Sequence, residues 1–339
     1  MPPVDRDRND RFANRWITAS VAAISSGRDK MRTIFKFMFA ALVTLLPVVT
    51  WADVRSDVKA IFAQDMATID LARAKLELDR LVMSSVDVDA ELAQIDAMAA
   101  QLAAMIPPGA DAWKKVEVLR RYLYETGPWN DNRPFAYDMT DPYGQKPGNK
   151  LLSDYLADRQ GNCVTMPILM IVLGQRIGLD ITAASAPLHV LVKFRDDEGK
   201  LWNLEATSGG FPARDQHYRD LLPISDRALE TGIYLQPLTK AETVAVMVEV
   251  VMEDQIAKAR YMDGMAVADI ALDHYPLFVQ AMVRRGSAAF LIIEQDFKAK
   301  YPTIEAVPEA ERPQLDYLLR VNKTMFDKAE GLGWQPFNP

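Results

Sequence analysis

Apolar positions along the chain recur with two different periods, and the change of period divides it. From Asp70 to Leu81, Leu71, Leu78 and Leu81 fall near one face with Ala74 between them, the spacing of an amphipathic helix. Ser84-Ser85 interrupts it. Val86-Asp87-Val88-Asp89 opens a second helix whose apolar stripe is Leu92, Ile95, Met98, Leu102 and Met105, and Pro107-Pro108-Gly109 ends it. A third runs from Ala112 to Glu125 on Trp113, Val116, Leu119 and Leu123, and a short one from Leu151 to Ala157. Ile168 to Leu173 is apolar without a break, as a buried helix requires. After Gly178 the period falls to two. Ile181–Ala184, His189–Phe194 and Leu201–Ala206 read as strands, and Arg195-Asp196-Asp197-Glu198-Gly199-Lys200 reads as a hairpin turn. A loop over Asp196–Glu198, closed by Gly199 as a bulge residue, pairs Arg195 with Gly199 and sets His189 opposite Glu205. Thr207 to Pro237 reads as loops and short turns, and from Ala241 to about Leu332 the helical period returns.

Between these elements lies Gly127 to Asn149, rich in Pro, Gly, Asn and Asp. A loop this long inside a compact domain is functional or disordered. Trp129, Phe135, Tyr137 and Tyr143 argue for order, so the stretch is expected to form a wall beside the helix that follows it.

The N-terminal end reads as export machinery. Arg32 and Lys36 form a basic start, Phe37 to Val49 an apolar core too short to span a bilayer, and Thr50-Trp51-Ala52 a small-x-small cleavage site. Residues 31–52 are therefore expected to be a signal peptide, with Met31 as the start, and residues 1–30 a leader or start-site artefact. This places the protein in the periplasm or outside the cell, with membrane contact only through an uncleaved signal segment. The remainder divides into an N-terminal helical segment at 53–110, a core at 111–237 and a helical segment at 241–332. A net charge of −7 in 339 residues gives no electrostatic reason to expect nucleic acid.

The chain holds one cysteine, Cys163, and an exported protein with one thiol cannot close a disulfide within itself. Pro167 belongs in the first turn of a helix, which makes Cys163 the N-cap or the earliest helical residue, and Gly161-Asn162 is the turn before it. Free N–H groups and the helix dipole favour a thiolate there. A free thiol, with pKa about 8.5, is only a few per cent ionised at pH 7, and full ionisation needs about 3.4 kcal/mol. A helix terminus supplies ~0.3–2 kcal/mol, so a nearby imidazolium is required. His189 can supply it and Glu205 can stabilise it, an arrangement of nucleophile, base and orienting group. The other two of the three histidines are placed at a solvated loop (His217) and a helix end (His274). No close Cys/His pair suggests zinc and no glycine motif suggests phosphate, so no metal or cofactor is expected.

Gly161-Asn162-Cys163, Pro187-Leu188-His189-Val190 and Asn203-Leu204-Glu205-Ala206-Thr207 together resemble the transglutaminase-like superfamily, whose core is related to papain-type cysteine proteases. Ile69 to Ala74 and Val86 to Ala90 resemble the leader of bacterial SirB-type proteins, which carry such a core followed by tetratricopeptide-like helices. The resemblance spans roughly Ile69 to Tyr301. It implies an α+β fold: a helix bearing the cysteine packed on a small antiparallel sheet, flanked by N-terminal helices and tetratricopeptide-like C-terminal helices. Met265–Tyr275 and Leu277–Ile293 would be helices of one or two degenerate repeats, with Ala268, Gly286 and Ala289 at close contacts. The family's Cys, His and Asp fall on Cys163, His189 and Glu205. Glu in place of Asp lengthens the arm, so Asn203, two residues earlier on the same face, is a second candidate for the orienting role. Two functions follow. One is a cysteine-dependent acyl-transfer enzyme (protease, amidase or transglutaminase-like) acting on a protein or peptide through a thioester. The other is a silent module docking a periplasmic protein through its C-terminal helices.

Overall fold

The structure, a computed structural model, describes residues 53–141, 144 and 146–337. The leader and signal segment read at 1–52 lie outside these residues, as does Tyr143 of the aromatic stretch. Among the described residues no helix is long and apolar enough to cross a membrane.

Four helices open the described chain, each started by an aspartate. They are α1 (Val54–Phe62), α2 (Leu71–Val82), α3 (Val88–Met105) and α4 (Ala112–Tyr124). Asp53, Asp70, Asp87 and Asp111 stand at the N-caps, and each carboxylate accepts from a main-chain N–H of the first turn. Such a cap contributes about 1 kcal/mol and fixes where the helix begins. These helices also hold a charged pair that their periodicity does not announce. Lys75 and Asp79, one turn apart on α2, are both fully buried and joined by a salt bridge. Lys75 Nζ donates to the Lys150 carbonyl at 2.8 Å, and Asp79 Oδ2 accepts from Leu152 N at 2.6 Å. Burial pushes the Asp79 carboxyl above its ordinary range, against the pull of Lys75.

The irregular stretch after α4 is built as a wall. It contains single turns at Pro128–Asn130 and Pro147–Lys150 and a short strand, β1 (Ala136–Tyr137). The buried Asn130 anchors it, donating to the Tyr122 and Glu125 carbonyls and accepting from Gly127 N. After α5 (Leu152–Asp158), β2 (Gln160–Gly161) pairs in parallel with β1, Tyr137 opposite Gly161. The wall is thus hydrogen-bonded to the two residues that precede Asn162-Cys163.

α6 (Thr165–Arg176) follows, buried from Thr165 through Gly174. It lies against a four-stranded antiparallel meander, β3 (Asp180–Ala186), β4 (His189–Arg195), β5 (Leu201–Glu205) and β6 (Phe211–Ala213), in that order. Ile181, Val190, Val192, Phe194 and Leu204 face the main core with α6. Ala184, Ala186 and Leu191, on the opposite face, pack with Tyr218, Ile233 and Tyr234.

The β4–β5 register differs from the expected one by two residues. Arg195 pairs with Leu201 and Val192 with Leu204, which sets Glu205 opposite Leu191 rather than opposite His189. Asp196 N donates to the Lys200 carbonyl and Gly199 N to the Asp196 carbonyl, so the three-residue loop is Asp197–Gly199. Gly199, at φ +81°, is inside that loop and does not pair with Arg195. The Asp196 carboxylate fixes this choice by accepting from the Glu198, Lys200 and Trp202 N–H groups. Side chains alternate with a period of two, so a two-residue shift keeps His189 and Glu205 on one face as diagonal neighbours.

The segment before Pro237 is more regular than expected. It carries β6 and two helices, α7 (Asp215–Leu221) and α8 (Asp226–Thr231). Each helix buries a single side chain, Tyr218 or Ala228, too few for a period to be read. The helical C-terminal half comprises α9 (Lys240–Met247), α10 (Glu249–Ala257), α11 (Tyr261–His274), α12 (Val279–Ile292) and α13 (Arg312–Gly331). Gly286 is required where α12 meets α13, because a Cβ there would lie 2.9 Å from the Phe326 ring. The described residues are therefore a mixed fold of helices around a small antiparallel sheet.

Candidate active site

Cys163 lies two residues before α6, neither at its N-cap nor inside it. The capping chemistry belongs to Asn162, fully buried, whose Oδ1 accepts from Val164 N at 2.9 Å and Thr165 N at 3.3 Å. Asn162 N donates back to Thr165 Oγ1, and Asn162 Nδ2 reaches the Asn149 carbonyl of the wall. Pro167 stands third in the helix, inside the first turn as expected. What the proline could not reveal is that a polar side chain one residue upstream of the cysteine closes the turn. Cys163 is held by the sheet instead: its carbonyl accepts from Val190 N at 3.1 Å. The thiol is 5% exposed and donates to the Leu188 carbonyl at 3.2 Å.

That carbonyl is aimed by an unusual backbone. Ala186 pairs with His189, so Pro187-Leu188 is a two-residue turn, and Leu188 sits at φ +54°. Proline suits the first turn position; the second favours glycine or asparagine, and a leucine there costs roughly 1–2 kcal/mol.

His189 starts β4 immediately after this turn. Its Nε2 is 3.1 Å from Glu205 Oε2, at the end of β5, with side-chain exposures of 15% and 8%. The other carboxylate oxygen accepts from Thr207 N at 3.0 Å and Thr207 Oγ1 at 2.5 Å. Burial disfavours the imidazolium, but hydrogen bonds to Cys163 and Glu205 outweigh it and raise the His189 pKa to about 9. Burial likewise opposes ionisation of Glu205, and its bonds to His189 and Thr207 lower its pKa to about 2. The structure therefore sets His189 against Glu205, and Cys163 against Leu188 and Val190 on either side of His189.

Asn203 shares that face but is engaged elsewhere. Its amide donates to the Ala213 carbonyl and to Asp215 Oδ1 at 2.7 Å. His217 is exposed, on α7 rather than in a loop, with its ring edge-on to Tyr218. His274 closes α11 and stacks on Phe62, centroids 4.0 Å apart. Among the described residues no group of three or more His, Cys, Asp or Glu side chains could hold a metal ion.

A cleft lies beside His189. Val164, Leu188 and Val190 line it from the core, and Phe278, Gln280 and Arg284 from α12 and the residue before it. Charged side chains there are matched. Lys150 pairs with Glu253 at 2.7 Å, and Arg284 with Glu249 at 3.3 Å and with Glu253. Burial opposes the Lys150 ammonium, but Glu253 and Glu249 hold its pKa above the ordinary value. These groups were not legible as a site, because they are 75 or more residues from Cys163 or, for Lys150, sit in irregular chain.

Residues 89–249 match the transglutaminase-like superfamily and form a domain of that kind. UPF0162 proteins from two strains of Xylella fastidiosa, Temecula1 and 9a5c, are each 26% identical to this chain over 106 residues. That covers 31% of this chain and 34% of each relative, so the chain spans about a third of the length of the curated relatives it matches. No solved structure matches the chain.

Proposed function

We propose, from a transglutaminase-like domain at residues 89–249, that the protein is a cysteine-dependent acyl-transfer enzyme. Cys163 Sγ attacks an amide or ester carbonyl after His189 takes the thiol proton. The tetrahedral oxyanion collapses to a thioester as His189 returns the proton to the leaving group. Water or an amine then resolves the thioester, giving hydrolysis or cross-linking. Glu205 orients the imidazole and stabilises its cation. The Cys163 N–H, with no partner among the described residues, is available to the oxyanion. The observation that carries this reading is the Glu205–His189 hydrogen bond at 3.1 Å, on a histidine flanked by Leu188 and Val190, the two residues that hold Cys163.

One observation favours the second reading, a silent SirB-type module that docks a periplasmic protein through its tetratricopeptide-like helices. The thiol is buried and bonded to a main-chain carbonyl. The two readings separate on incubation of the full chain with p-nitrophenyl acetate. The enzyme should release p-nitrophenol and carry one acetyl group, located by mass spectrometry on Cys163. A thiol that takes no acetyl group, and that iodoacetamide labels only after denaturation, would sink the enzyme reading in favour of the module.

Export is part of the proposal, on the strength of the segment at 31–52. Expressed from Met31 in a Gram-negative host, the mature protein should begin at Asp53. An N-terminus still at Met31 would make that segment an anchor.

A further inference from the structure

We infer that the cleft beside His189 receives the acyl donor as a peptide amide next to an uncharged, apolar side chain, with Gln280 hydrogen-bonding that amide. This rests on the acyl-transfer reading and names its substrate class.

Gln280, in the first turn of α12, lines the same cleft as His189 and Leu188. Its Oε1 is buried with no partner among the described residues, and its Nε2 makes one long bond, 3.3 Å, to the Ala186 carbonyl. Buried polar groups are nearly always satisfied, so the unpartnered carboxamide oxygen of a cleft-lining residue asks for a donor. A carboxamide presents an acceptor and a donor, which is the complement of a peptide N–H and C=O. A carboxylate or ammonium would use only one of the two.

The cleft's charges point the same way. Lys150 and Arg284 are already matched by Glu253 and Glu249, which leaves no unpaired charge to select a charged ligand. What remains of the lining is apolar but for Ser185: Val164, Leu188, Val190, Val246 and Phe278. Phe278, Gln280 and Arg284 lie outside residues 89–249, so the C-terminal helices supply selection to chemistry carried by the core.

The test compares kcat/KM of the full chain on N-acetyl-leucine p-nitrophenyl ester and on p-nitrophenyl acetate. The first carries the amide and the apolar side chain, and the second carries neither. The two differ in intrinsic reactivity, so the readout is how their ratio changes between proteins. Gln280→Ala should lower the ratio at least about tenfold, because an unpaired buried donor and acceptor on the substrate replace a matched pair. Gln280→Glu, which keeps the size and the acceptor but loses the donor, should lower it as well. Wild type should also prefer the leucine ester to the N-acetyl-aspartate and N-acetyl-lysine esters by at least about tenfold. An unchanged ratio in both variants, or equal rates on the three amino-acid esters, overturns this inference and leaves acyl transfer standing. A wild type that reacts with none of the esters overturns both.

Discussion

His189→Ala should slow acylation of Cys163 by p-nitrophenyl acetate at pH 7 by about a thousandfold. A positioned general base contributes roughly 10²–10⁴, and here the same group must also balance the thiolate. The burst of p-nitrophenol in a stopped-flow trace measures it. A loss under about tenfold would remove His189 from the mechanism. The same variant should change how stability depends on pH. The His189 pKa rises from an ordinary 6.5 to about 9 on folding. Its contribution is therefore complete below pH 6.5 and lost as pH climbs through 9. Glu205 falls from 4.5 to about 2, so its contribution is complete above pH 4.5 and lost as pH drops through 2. For His189 the linkage is on the order of 3 kcal/mol. The urea midpoint of wild type should fall further between pH 6.5 and 9 than that of His189→Ala, and the difference between the two proteins should carry most of the His189 linkage.

Lys75→Ala should destabilise the protein by about 3–5 kcal/mol, the usual cost of leaving one member of a buried ion pair alone. Asp79 would remain fully buried with no cation, still bound to Leu152 N, and the Lys150 carbonyl would lose its donor. Adding Asp79→Leu should restore only part of the loss, since Leu152 N would then be unpaired as well. Urea melts of the three proteins provide the comparison. A Lys75→Ala midpoint within error of wild type would mean that the pair contributes nothing to stability.

The helices that were plain in the sequence are those with an aspartate cap and three or more turns of apolar stripe. α2, α3 and α4 are of this kind, and their starts agree within two residues. The strands are plain because β3 and β4 are short, mostly apolar runs buried on both faces and separated by Pro187-Leu188. What escaped depends on side chains that act at a distance in sequence. Asn162 has the composition of a turn residue and is the cap that sets the start of α6 at Thr165. Composition locates Gly199 in the hairpin turn but not its place within it, which the Asp196 carboxylate decides. Cys163, His189 and Glu205 could be nominated because each lies at the edge of an element with a clear period. Gln280 could not, since nothing local distinguishes it from any other polar residue in a first helical turn.

Lys150 is gripped from two sides, its carbonyl by Lys75 and its ammonium by Glu253, across sequence separations of 75 and 103 residues. Contacts of that span must meet their loop-closure entropy before they return anything, so they set the pace of folding rather than follow local helix formation. The order of events is thereby constrained. The turn at Asn162 and the Pro187-Leu188 hairpin can form from near neighbours, and they bring the thiol and the imidazole to the same end of the sheet. The cleft wall is held at residue 150 by contacts spanning 75 and 103 residues, whereas Cys163 meets Val190 and His189 meets Glu205 across 27 and 16. The reacting groups thus depend on the shorter loop closures of this fold, and the surface that would discriminate among substrates on its longest.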